Sequence, residues 1–113
     1  MKRRDSHIFP FRLYVRGITI DVEALVDTGF DGDLAVPEAL LQDVGEPDDF
    51  ERWTLADGAA VFAPEFEATA ELDGFESISV LLSAIGDEPL VGRGVTDQFG
   101  LLLDHGRRLV IEA

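Results

Sequence analysis

The chain contains no cysteine. Disulfides, thiol nucleophiles and zinc–thiolate sites are therefore excluded. Lysine is nearly absent too, with one lysine against eight arginines. Only two histidines occur, His7 and His105. Neither has metal-ligand companions at a useful spacing, so both read as surface or turn residues and no metal site is expected. No apolar run reaches membrane-spanning length. The basic start Met1-Lys2-Arg3-Arg4 leads into Asp5 and not into a signal-peptide core. The expectation is a soluble, cytoplasmic protein with no membrane partner.

Positive charge is the largest shortage. The net charge is −14. Residues 1–16 hold five of the nine basic groups and one of the 23 acids, so the body is almost wholly acidic. Such a surface repels phosphate backbones, and nucleic acid is not an expected partner. The basic start can instead dock on an acidic surface, including that of a second copy. High acidity with little lysine suits a high-salt cytoplasm, where screening offsets self-repulsion.

What remains is ordinary globular material. The 113 residues are 46% apolar, enough for one domain with a modest core. Residues 1–7 form a basic N-terminal segment and residues 8–113 the domain. Phe11, Leu13 and Val15 alternate with Arg12, Tyr14 and Arg16; Gly17 turns the chain; Ile18, Ile20, Val22 and Ala24 alternate again. This pattern predicts a hairpin over 8–26. Leu34-Ala35-Val36 reads as a short strand. Pro37 and Glu38 open a helix that Gly45 ends. Residues 46–51 read as a solvated loop. Residues 52–63 form a second hairpin about Asp57-Gly58.

Residues 66–72 read as a further strand, Asp73-Gly74 as a turn, and 75–83 as the returning strand. Residues 84–89 read as a loop, 90–92 as a short buried segment, and 94–99 as one or two helical turns. A last hairpin turns at His105-Gly106. Turn signals every 8–12 residues favour a small closed all-β barrel or a sandwich.

The remaining signal is the stretch Ala24-Leu25-Val26-Asp27-Thr28-Gly29. An apolar strand end runs directly into an acid, a hydroxyl residue and a glycine. Alone, the triplet reads first as a strand-ending Asx turn in which Asp27 caps its own loop. A calcium-loop reading also exists, with Asp27, Asp31, Gly32 and Glu38 at the first, fifth, sixth and twelfth positions. Gly29 then stands where a ligand is needed, Pro37 intrudes, and the upstream segment has the period of a strand.

In context the chain resembles the retroviral-type aspartic proteases and their single-domain prokaryotic relatives, from about Phe11 to Glu112. The triplet is followed by Leu34-Ala35-Val36-Pro37. Leu55-Ala56-Asp57-Gly58-Ala59 is similar to their flap hairpin. Pro89-Leu90-Val91-Gly92-Arg93 is similar to the segment that crosses behind the active loop. The resemblance implies a closed β-barrel with one or two short helices and one lobe per chain. It implies an endopeptidase with no cofactor, acting on peptide or protein substrates. One triplet per chain supplies one carboxyl, so it implies a homodimer with Asp27 facing Asp27 across a twofold axis.

Each further role is likewise implied by the resemblance. Thr28 ties the two active loops together, and Gly29 lets substrate lie against backbone. Asp31 and Arg93 form an ion pair bracing the loop beside Gly92. Ala56, Asp57 and Gly58 form the flap tip. Phe30 stands where viral members usually have a small residue, and the flap tip has one glycine, so substrate shape should differ. The competing expectation is a non-catalytic module of the same fold that dimerises or binds peptides.

Overall fold

Alternation sets the first hairpin. The computed structural model describes residues 8–55, 57–72, 77–99, 102–104 and 108–110. Strand β1 (Ile8–Val15) and strand β2 (Ile18–Val26) pair antiparallel along their full length, Ile8 opposite Leu25 and Val15 opposite Ile18. Phe9, Phe11, Leu13 and Val15 point inward and are buried. Arg16 and Gly17 turn the chain, both with positive φ, the geometry of a two-residue turn that follows strand twist.

The remaining elements are β3 (Leu34–Val36), a 3-10 turn (Glu38–Leu41), β4 (Asp49–Thr54), β5 (Ala60–Leu72), β6 (Ile78–Ala84), β7 (Leu90–Val91), helix α1 (Arg93–Phe99), β8 (Leu102–Asp104) and β9 (Arg108–Val110). The strand order β1-β2-β7-β3-β6-β5 returns to β1 through a β1–β5 pairing, closing a six-stranded barrel. Strand β4 hangs on β5 outside this ring. Strands β8 and β9 form a separate antiparallel pair. Leu13, Leu34, Leu82, Val91 and Val95 fill the barrel, each completely buried. At about 25 cal/mol per Å² of apolar area, such a core is the main driving force for closure.

Five expectations need correction. Asp49, Glu51 and their neighbours are strand, not loop; β4 is solvated along nearly its whole length, so no apolar alternation marks it. Residues 60–63 and 66–72 are one thirteen-residue strand. Pro64 does not break it, because it precedes Glu65, the first residue that β6 pairs with. The helix after Pro37 is a single 3-10 turn with no side-chain cap, and the chain leaves it before Gly45, whose φ is +100°. The returning strand begins at Ile78 and reaches Ala84, and α1 begins at Arg93. His7, the basic residues 2–4, Ala56, the Asp73-Gly74 turn and the His105-Gly106 turn lie outside the described residues. Among the described residues no helix is long and apolar enough to cross a membrane.

Candidate active site

Asp27 follows the last residue of β2, where the ladder continues for one more bond. Leu25 N donates to Pro89 O (3.1 Å) and Asp27 N to Val91 O (2.9 Å), so β7 carries the strand to the acid itself. The chain then turns back sharply. Gly29 N donates to Asp27 Oδ1 (2.9 Å) and Phe30 N to Asp27 O (3.1 Å). The Asx turn is therefore present, and it fixes one carboxylate oxygen. Asp27 is partly buried, while Thr28 and Gly29 are exposed at the loop tip. A strand, not a helix, precedes Asp27, so the calcium-loop geometry is not formed. Among the described residues, no three acidic or histidine side chains stand together as a metal site.

A second segment clasps this loop from behind. Three successive amides donate to it: Gly92 N to Asp33 O (2.8 Å), Arg93 N to Phe30 O (3.0 Å) and Gly94 N to Gly32 O (3.1 Å). The approach is close enough to demand glycine. A Cβ on Gly92 would collide with Gly32 O and with the ring and carbonyl of Phe30. One on Gly94 would collide with the Asp33 carboxylate. Arg93 also donates to the Asp31 carboxylate through its side chain, so these two residues are brought together. The pair is more than half exposed in the single chain.

Phe30 and Trp53 meet with ring centroids 5.0 Å apart and planes tilted by 51°, joining the active loop to β4. Gly32 lies beneath both rings, where a Cβ would come within 2.6 Å of Phe30 and 2.9 Å of Trp53. A groove of about 730 Å³ runs from Asp27, Gly29, Phe30 and Asp31 to Arg52–Leu55, with Ala35, Ile85, Gly86 and Leu90 along its other side. Asp57 and Gly58 turn the β4–β5 hairpin just beyond Leu55. Ala59 N donates to Asp57 Oδ1 (2.9 Å), Gly58 N to Leu55 O (2.9 Å), and Gly58 has φ +89°.

Solved structures share this barrel. No family model matches the chain, and neither does any curated protein. A retropepsin-like aspartic protease from Rickettsia conorii superposes with a TM-score of 0.61 over 96% of this chain and 85% of that one, at 20% identity. The protease of simian foamy virus superposes with a TM-score of 0.53 over 78% of this chain and 91% of that one, also at 20% identity. The fold is retropepsin-like. Within it, Asp27 and Gly29 line the groove, Thr28 is exposed at the loop tip, and Gly92 and Arg93 bond the loop through their amides. Sequence reasoning missed Asp33, Trp53 and Gly94, and it named Gly32 only as a calcium-loop position, not for its packing. The signal was there in part, since Gly32 in one stretch and Gly92 and Gly94 in another mark two backbones in close approach.

Proposed function

We propose that the chain is an aspartic endopeptidase that works as a twofold homodimer without a cofactor. What supports this most is a partly buried Asp27 in an Asp-Thr-Gly turn, at the mouth of a large groove, on a retropepsin-like barrel. In the dimer, two Asp27 carboxyls about 3 Å apart cannot both ionise and share one proton. The ionised carboxyl takes a proton from water as the oxygen attacks the scissile carbonyl carbon. The protonated one hydrogen-bonds the carbonyl oxygen as charge gathers there. The leaving amine then receives a proton as the C–N bond breaks. Thr28, exposed at the loop tip, is the group placed to bridge to its counterpart in the second copy. Substrate lies extended between the active loop and the flap tip at residues 56–58, its side chains in alternating pockets.

The competing reading is an idle module of the same fold that dimerises or binds peptides. Cleavage of a peptide library by wild type and Asp27→Asn separates the two. The enzyme reading expects turnover that falls by at least about a hundredfold in Asp27→Asn, with the dimer mass unchanged. No cleavage by the wild type from acid to neutral pH, at low and high salt, favours the module.

A further inference from the structure

The β4–β5 hairpin projects from the barrel and touches the Asp27 loop through the Trp53–Phe30 contact. Strand β5 is supported on its far side by β6 only from Glu65 onward, so residues 49–54 and 60–64 form a two-stranded ribbon extending from the barrel. Two strands alone are marginal in water, so the angle of such a ribbon depends on what holds its root.

The root is held by Asp48. Its backbone N donates to Glu65 O (2.8 Å), and its Oδ2 accepts from Glu67 N (2.8 Å). Its Oδ1 accepts from Arg16 Nη2 (2.8 Å). Arg16 in turn donates from Nη1 to Val44 O (3.3 Å) and lies 5.5 Å over the Phe66 ring. One guanidinium thus joins the first hairpin turn, the segment after the 3-10 turn, the barrel strand β5 and the flap root. The turn itself gives a second clue. Arg16 has φ 50°, a conformation in which asparagine or glycine is the ordinary choice. An arginine there carries backbone strain, and its reach to Asp48 and Val44 offsets it. The Glu67 amide first, and Arg16 second, hold the Asp48 carboxyl below its usual range, so the link stays ionised into the acid.

We infer that Arg16, acting through Asp48, is a positioning residue that fixes the β4–β5 hairpin over the Asp27 groove. Its consequence for cleavage rests on the peptidase reading; the latch itself does not. Arg16→Asn supplies the ordinary turn residue while removing the guanidinium, so the barrel keeps its stability. In the substrate-free protein, hydrogen exchange over residues 50–64 should run about tenfold faster in Arg16→Asn and in Asp48→Ala, with β1 and β6 at wild-type rates. The double variant should add little to either single one, and Arg16→Lys should recover part of the protection.

Uniform acceleration through the barrel, or unchanged exchange in the hairpin, overturns the latch. On a cleaved peptide, KM should rise about fivefold with kcat changing less, because a loosened flap must be ordered by the substrate. An unchanged KM with a loosened hairpin overturns the link to cleavage. A wild type that cleaves nothing counts against the peptidase reading, and the exchange data still decide the latch.

Discussion

Gly92 shows how single atoms govern the loop that carries Asp27. Its missing Cβ leaves room for Gly32 O and Phe30, and its amide bonds Asp33 O. Gly92→Ala should therefore cost about 1–3 kcal/mol through overpacking, lowering the melting midpoint by several degrees. A midpoint within one or two degrees of wild type would show the loop to be more yielding than this packing allows. Glu65 is a residue of opposite character. It is buried, with Ser83 as its hydrogen-bond partner (3.3 Å), and its carboxyl is pushed up by burial, then by the charge of Glu51, Asp49 and Asp33.

A raised carboxyl means that the folded state binds its proton more tightly than the unfolded chain. This group therefore adds stability as pH falls through its folded pKa, and that contribution is lost as pH rises through it. Glu65→Gln should raise the melting midpoint at pH 7, with a smaller gain near pH 4. Paired melting curves at the two pH values read this directly, and an equal or larger gain in acid contradicts it. The Arg93–Asp31 pair, being exposed, contributes little to the stability of a lone chain.

At the level of elements, the structure separates what periodicity reveals from what it hides. The hairpin β1–β2 was legible because one face is buried along its length, so alternation had a cause. The first half of strand β4, residues 49–51, was not legible, because it is exposed and is held by backbone pairing to β5. Strand β5 reads in the sequence as two pieces, 60–63 and 66–72, because its outer end pairs only with β4 and its inner end also with β6. The triplet at Asp27 was visible as a motif. The packing that gives it shape was not, because Phe30, Trp53 and Gly92 are far apart in sequence and meet only in the fold. That meeting makes a test at this scale. Phe30→Ala removes the ring that fills the space over Gly32 and Gly92. It should cost about 3 kcal/mol and shift the emission of the single tryptophan, Trp53, to longer wavelength as water reaches it. Unchanged emission would mean that the active loop and the hairpin do not depend on this contact.

For the whole molecule, charge and symmetry matter most. A net charge of −14 on 113 residues opposes compaction and opposes the meeting of two copies. Screening over about 10 Å or less relieves both. The melting midpoint should rise between low and molar sodium chloride, and equal midpoints would remove charge repulsion as a factor. Symmetry is the larger claim. The barrel supplies one Asp27, one loop and one β4–β5 hairpin, and the proposed chemistry takes two of the first. Titration calorimetry with a statine-containing peptide, which mimics the tetrahedral intermediate, reads this count directly. The account predicts one bound inhibitor per two chains and no comparable binding to Asp27→Asn. One inhibitor per chain, or binding that survives Asp27→Asn undiminished, would contradict it.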